Sequence, residues 1–344
     1  MFKPNYQLTN AIINHITAIT EAREDILRSP ILPKAENRLR HDALVSRSHH
    51  STSIEGNRLN LPEVQVIVDG GDLVARPKDK QEIKNYLAAL KYLEKAAKSK
   101  RLAPSIILKL QGLITKKVLS PKDCGKYRNR MVYVVNSFGQ TVFTPPPINA
   151  VPQLVADLVK WLNHPTTKEL HPVLAAGISH YELVRIHPFI DGNGRMARAT
   201  ATLVLFLENY DIKKFFSLEE YYDHDASRYY EFLKSASSGD LTKWLEYFTE
   251  GLAIELTRIK EKVQRLSIDI HLKEKLGGKQ VFLSERQITM MEYIQRVGYV
   301  QNQTFKDIFP KISEDTILRD LHDLMKKGII KKEGKTKAAR YTLK

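Results

Sequence analysis

The sequence predicts a mainly α fold interrupted by one small β-hairpin and closed by a C-terminal module of three helices and a second hairpin. Three observations predict it. Apolar residues recur at helical spacing over most of the chain. Two β-favouring runs, one ending in Val134 and Val135 and the other spanning Thr141 to Thr144, flank a single turn containing Gly139. The pair Gly277 and Gly278 then breaks a long amphipathic helix and sets off a last segment with its own pattern.

Taken in order, residues 1–101 form an N-terminal helical region with a loop expected at Gly70, Gly71 and Asp72. Residues 102–250 form the central core. Its hairpin is stopped by Pro145, Pro146 and Pro147, which cannot donate to a ladder. A helix is expected up to Ile186, with Val173, Leu174, Ile178, Tyr181 and Leu183 among its buried positions, and Pro188 opposes its continuation through His187. A second buried helix is expected from Arg195 to Leu207. Residues 251–278 read as a linker helix whose apolar stripe is Ile254, Leu256, Ile259, Val263 and Leu266. Residues 279–344 form the last module.

Composition bounds the class. The chain has 344 residues, 42% hydrophobic and 27% charged, the balance of a soluble globular protein long enough for more than one core. A single cysteine, Cys124, excludes an internal disulfide, and no apolar run reaches the length of a membrane span. The N-terminus lacks a signal peptide's apolar stretch, so cytoplasmic residence is expected.

The richest chemistry lies in residues 187–198, His-Pro-Phe-Ile-Asp-Gly-Asn-Gly-Arg-Met-Ala-Arg. His187 stands at an element end, where an imidazole can reach a substrate. Gly192, Asn193 and Gly194 let the backbone turn tightly and present N–H groups at a helix N-terminus, which is an anion site. Arg195 and Arg198 are three apart and share a helix face, suiting a polyphosphate. Asp191 at the mouth of the turn would repel phosphates unless a cation lay between, and Mg²⁺ resolves that conflict. The set suits attack by a hydroxyl on an activated phosphorus.

The segment resembles the full signature of Fic proteins, His-x-Phe-x-Asp/Glu-Gly-Asn-Gly-Arg-x-x-Arg, without departure at any defined position. The resemblance implies a Fic-type helical core and transfer of AMP from ATP to a protein hydroxyl. By position it implies His187 as the base, Asp191 as the Mg²⁺ ligand, and Gly192, Asn193 and Gly194 as the cradle. Arg195 would meet the inner phosphates and Arg198 the γ-phosphate, with Phe189 as a buried anchor. Some relatives use other nucleotides, transfer phosphocholine or remove AMP, and these variants stay open.

Upstream, Ser51-Thr52-Ser53-Ile54-Glu55-Gly56-Asn57 resembles the family's inhibitory motif in its N-terminal placement. Ser51 and Glu55 share a face if the segment is helical, and Gly56 would end that helix. Glu55 is then expected to form a bidentate pair with Arg198 where a γ-phosphate must sit. The hairpin between Val132 and Val142 resembles the Fic flap, whose edge would hold a target protein as an extended strand. Among Tyr221, Tyr222, Tyr229 and Tyr230, Tyr229 is the candidate for the ATP site, although most of the cluster reads as core.

The order of the last module resembles a winged helix-turn-helix. Its terminal stretch, residues 326–344, carries eight basic residues against Glu333, among them Lys331, Lys332, Lys335, Lys337 and Arg340, within an overall charge of +15. That favours phosphate contacts, whereas Asp320 and Asp323 beside Arg319 disfavour them, so DNA and protein contact stand even. His171, His180, His187, His49 and His50 show no compact metal-ligand spacing such as His-Glu-x-x-His, and no structural zinc is expected. The function expected is an autoinhibited protein adenylyltransferase, a nucleotidyltransferase using ATP and Mg²⁺ on itself and a target protein. The alternative is a DNA-binding regulator with a nucleotide-sensing domain. A homodimer and the identity of the target stay open.

Overall fold

A computed structural model describes residues 2–135, 139–275, 283–310, 312–334 and 339–344. Two compact units emerge, residues 1–27 with 38–258, and residues 28–37 with 259–344.

The helices that build the larger unit are α1 (Asn10–Arg28), α2 (Pro33–Ser53), α3 (Leu61–Val68), α4 (Pro77–Ala97), α5 (Pro104–Ile114), α6 (Val151–Leu162), α7 (Pro165–Lys168), α8 (Pro172–Ile186), α9 (Asn193–Leu207), α10 (Leu218–His224), α11 (Ala226–Ser235) and the first part of α12 (Thr242–Lys275). Proline opens several of them, as in α4, α5 and α8, where the missing N–H would be unpaired anyway. The centre is α8 packed along α9. Almost every side chain of both is buried, which explains why they read as continuous apolar runs rather than as amphipathic stripes. Gly177 lets α12 approach α8: a Cβ there would stand 2.9 Å from Leu245, and the Trp244 indole donates to the Gly177 carbonyl at 2.8 Å. Helix α4 buries Ile83, Tyr86 and Leu90, and α5 buries Ile107 and Leu110. A smaller cluster of Val45, Leu59, Val64, Ile67 and Ile83 secures α3.

The hairpin is shorter than its sequence suggests. Its strands are β1 (Val134–Val135) and β2 (Thr141–Phe143), antiparallel, with Val134 opposite Phe143 and a register irregularity after it. The expected strand residues Met131 and Val132 precede the ladder because their backbone follows Arg128, which is tied to the core instead. Residues 136–138 of the turn lie outside the described residues.

The linker helix expected from residue 251 begins at Thr242 and runs without a break through Gly251. The glycine is a packing residue: Tyr221 lies against its Cα so closely that any Cβ would overlap the ring. The expected break at residues 277–278 lies outside the described residues.

The smaller unit holds α13 (Glu285–Val297), β3 (Val300–Gln301), α14 (Phe305–Ile308), α15 (Glu314–Lys326), β4 (Ile330–Glu333) and β5 (Arg340–Leu343). Helices and hairpin follow the expected order, and a short strand not foreseen, β3, joins them to give the antiparallel order β3-β5-β4. Ser284 and Gln287 close a capping box at the start of α13. Met290, Met291, Ile294, Ile317, Leu321, Leu324 and Tyr341 make its core. Among the described residues no helix is long and apolar enough to cross a membrane.

Candidate active site

The loop between α8 and α9 is built by its own side chains. Helix α8 ends at Ile186, and His187 caps it in the left-handed region, φ +50°, donating its backbone N–H to the Leu183 carbonyl at 3.1 Å. A left-handed histidine is strained and persists where its surroundings fix it. Arg128, 2% exposed, supplies much of that fixing. Its Nε donates to the His187 carbonyl at 2.9 Å, its backbone N–H to the Pro188 carbonyl at 2.9 Å, and its Nη2 to the Pro146 carbonyl. One guanidinium thus joins the base of the hairpin to the histidine loop.

His187 Nδ1 lies 3.3 Å from the Val184 carbonyl, which assigns the proton to Nδ1 and leaves the Nε2 lone pair outward. Burial lowers the imidazole pKa below its ordinary value, and the Arg128 charge acts the same way against the Val184 bond and the carboxylates of Glu55 and Asp191. The ring is therefore neutral at pH 7, as a proton acceptor must be.

Asn193 staples the turn. Its amide accepts from Phe189 N–H and donates to the Phe189 carbonyl, both at 2.9 Å. The side chain is thereby used on the loop, so what Asn193 offers a ligand is its backbone. Gly192, φ +81°, caps α9, whose first N–H groups have no acceptor in the preceding turn. Asp191 accepts from the Gly192 N–H at 2.5 Å and lies 3.4 Å from Arg195, with its side chain 46% exposed. Gln111, foreseen by nothing in the sequence pattern, fixes this corner: it donates to the Asp191 carbonyl at 3.1 Å and accepts from Gly125 N–H at 2.5 Å.

The two arginines of α9 diverge in their partners. Arg195 is buried against Glu82 of α4 at 3.4 Å, and Glu82 accepts in turn from Asn57 at 2.9 Å. Arg198 faces the end of α2. Its Nε donates to Ser51 Oγ at 2.9 Å, while its Nη2 donates both to the Ser51 carbonyl and to Glu55 Oε1 at 2.8 Å. The Glu55–Arg198 contact therefore runs through one carboxylate oxygen, not two as expected, because Ser51 occupies Nε and shares Nη2. Helix α2 stops at Ser53, and Glu55 follows in a tight turn closed by Gly56 N–H on the Ser53 carbonyl at 2.8 Å, with Gly56 at φ +87°.

Burial raises the Glu55 carboxyl pKa, but the charges of Arg198 and Arg195 outweigh it and hold the group below the ordinary value. Arg198 is shifted the other way: burial lowers its pKa, and Glu55 together with Tyr229, Tyr86 and Tyr230 more than restores it. The carboxylate lies over Gly194, where a Cβ would overlap it. Among the described residues, Arg198 Nη1 and Arg195 Nε are buried without a hydrogen-bond partner. Two orphaned guanidinium nitrogens beside a glycine cradle are what a phosphate group would satisfy.

Tyr229 is 1% exposed, its hydroxyl 2.9 Å from His180 Nε2, and burial pushes its pKa up to about 12. Its ring stacks on Tyr222 at 4.7 Å and presents no open face. Tyr230, 49% exposed and within the fields of Glu55 and Arg198, is the neighbour that does.

The Fic/DOC family pattern matches residues 101–205, the span that contains α8, the loop and most of α9. Residues 101–205 are a Fic/DOC domain. The chain is 30% identical over 215 residues to a Caenorhabditis briggsae protein named protein adenylyltransferase fic-1, covering 61% of this chain and 40% of that protein. It is 29% identical over 268 residues to the protein adenylyltransferase Fic of Drosophila willistoni, covering 74% and 50%. The chain thus spans about half the length of these curated relatives or less. A crystal structure of a Fic family protein from Desulfovibrio desulfuricans G20 superimposes with a TM-score of 0.67 at 26% identity, covering 100% of this chain and 98% of that one. The fold of Fic-1 from C. elegans is also similar, with a TM-score of 0.63 at 23% identity over 74% of this chain and 73% of that one. The matched span holds the small hairpin, α5 to α8 and most of α9.

Proposed function

We propose that the chain is an autoinhibited protein adenylyltransferase, moving AMP from ATP to a Ser, Thr or Tyr hydroxyl of a target protein and of itself. The observation that carries this reading is the position of Arg198, a buried cation held by Glu55 beside a neutral His187 and the N-terminus of α9.

His187 Nε2 would take the proton of the incoming hydroxyl as its oxygen attacks the α-phosphorus. The bond to the leaving pyrophosphate breaks as the new P–O bond forms. The backbone of Gly192, Asn193 and Gly194 would hold phosphate oxygens, and Arg195 Nε and Arg198 Nη1 have the unused donors to meet the charge. Mg²⁺ held by Asp191 would neutralise phosphate charge as pyrophosphate leaves. Glu55 would compete with the terminal phosphate for Arg198, and Tyr230 would offer its exposed ring to the base. The short β2 strand, with Val142 48% exposed, would pair with an extended target segment. A cytoplasmic setting suits this chemistry, since ATP is abundant there.

Incubation with Mg²⁺ and α-labelled ATP tests the reading. Self-labelling is expected to be weak in the wild type, stronger in Glu55→Gly, and absent when His187→Ala is added. No label on Glu55→Gly under any condition would overturn it.

A second reading concerns the smaller unit, which we propose contacts a polyanion such as DNA. Asp320, expected to disfavour phosphate contacts, is engaged within the unit, where Arg286 Nε donates to it at 2.7 Å, while Asp323 accepts from Gln287 at 2.7 Å with its side chain still 44% exposed. Lys331, Lys332 and Arg340 are exposed on the hairpin. Lys335 and Lys337 lie outside the described residues.

A further inference from the structure

One turn before Glu55, the last residues of α2 meet α10 through two imidazoles and a carboxylate that share a single His50 nitrogen. His50 Nδ1 lies 2.8 Å from Asp223 Oδ2 and 3.3 Å from His49 Nδ1. An imidazole nitrogen has one in-plane site, either an N–H or a lone pair. If His50 Nδ1 carries the proton, it donates to Asp223 and leaves His49 at most a share of the same N–H. If it carries the lone pair, it accepts from His49 and repels the carboxylate. No protonation state gives both contacts a full hydrogen bond, whereas a cation among the three atoms uses a lone pair from each.

We propose that His49, His50 and Asp223 bind a transition-metal dication of the Zn²⁺ class. The three ligand atoms lie within 4.8 Å of one another. Ligands about 2.1 Å from a tetrahedral ion stand about 3.4 Å apart, close to the His49–His50 separation. Two imidazoles with one carboxylate select Zn²⁺, Co²⁺ or their neighbours over Mg²⁺ or Ca²⁺, which prefer all-oxygen shells. The support expected around such ligands is present. His49 lies in the fields of Asp223 and Glu220, which favour a positive charge there. Glu220 adds negative charge nearby, held by Ser46 at 2.9 Å and by Arg258. The side chains of His50 and Asp223 are 18% and 16% exposed, which gives an ion a way in and leaves room for a water as fourth ligand.

No motif marks this set, because Asp223 is far from the histidines along the chain and two adjacent histidines match no metal-ligand spacing. The structure scatters the other histidines once grouped with them: His180 is in the aromatic core, His171 caps α8, and His187 is in the loop. Ser51, which holds Arg198, directly follows His50, so a bound ion would fix the turn carrying Glu55 against α10. That consequence rests on the transferase reading, while metal binding itself does not.

The test is titration of the full, metal-stripped chain with Co²⁺. The expected result is visible absorption of a four-coordinate site that saturates at a single equivalent, is displaced by Zn²⁺, is lost in His50→Ala and Asp223→Asn, and is kept in Glu55→Gly. Absence of a saturable band, or a band unchanged in both ligand variants, overturns the site. In a second arm, Zn²⁺ is expected to lower self-labelling of the wild type and leave Glu55→Gly unaffected. Equal effects on both overturn the regulatory consequence. A Glu55→Gly protein that takes no label with or without Zn²⁺ instead overturns the transferase reading and leaves the Co²⁺ result standing.

Discussion

Gly194 lies directly beneath Glu55: a Cβ on it would overlap Oε1 and come within 3.2 Å of Arg198 Nη1. The overlapping atom is the end of a flexible side chain, so Gly194→Ala should fold, at a cost of about 1 kcal/mol or less. The added methyl would remain in the phosphate cradle after Glu55 is removed. In the Glu55→Gly background, Gly194→Ala is expected to raise the KM for ATP by roughly tenfold, about 1.4 kcal/mol of lost binding. An unchanged KM would place the phosphates elsewhere.

Ser51 contributes through the energetics of a buried cation. With Ser51→Ala, Arg198 Nε loses its partner in a site water does not reach, a cost of about 1–3 kcal/mol. Thermal unfolding should register it as a lower midpoint, and an undiminished midpoint would mean that Arg198 finds another acceptor.

The pH dependence of labelling has a defined sign. Only neutral His187 can accept a proton, and its pKa lies below 6.5. Labelling by Glu55→Gly should therefore fall in acid with a midpoint below 6.5 and stay flat above neutrality. Glu55 raises the His187 pKa, so its removal moves the midpoint further down. A rate that keeps climbing between pH 7 and pH 8 would point to a different base.

Glu55 titrates with the opposite consequence for the fold. Its folded pKa is below the ordinary 4.5, so the stability it contributes is complete above that value and is lost as pH falls through the lower one. Wild type and Glu55→Gln should differ in unfolding free energy at pH 6 and converge in strong acid.

Arg128 touches none of the reacting atoms, yet it sets the carbonyl of His187. Arg128→Lys keeps the charge but cannot reach the carbonyls of both His187 and Pro146, so it should not rescue Arg128→Ala. In the Glu55→Gly background both are expected to reduce kcat more than the KM for ATP, by tenfold or more. Parallel loss of ATP affinity would assign Arg128 to binding instead.

For the smaller unit, DNA affinity should fall linearly with the logarithm of salt concentration. Removing the Lys331 and Lys332 charges should flatten that slope by roughly two units, about 0.9 per phosphate contact. A slope indifferent to both would leave the hairpin to a protein partner.

What could be read from the sequence was whatever is contiguous. The residues from His187 to Arg198 form one loop and one helix end, so their order nearly fixes their geometry. The Ser51–Glu55 segment was recognisable only through family resemblance, because nothing local announces that it will meet a guanidinium 147 positions away. Gln111, Glu82 and Arg128 left no signal, being single polar residues whose partners are backbone carbonyls or buried ions on distant elements. The two-oxygen pair expected of Glu55 failed because pattern reasoning could not count the acceptors Ser51 brings. Asp320 was misplaced since helical period alone does not reveal that Arg286 sits opposite.

Arg198 has one further implication. Because Glu55 is part of the same chain, it meets the guanidinium at a fixed effective molarity, whereas ATP arrives at whatever concentration the surroundings provide. Regulation then becomes a ratio of two local concentrations. Anything that lets the end of α2 wander a few ångströms dilutes the inhibitor without altering a single contact in the nucleotide site.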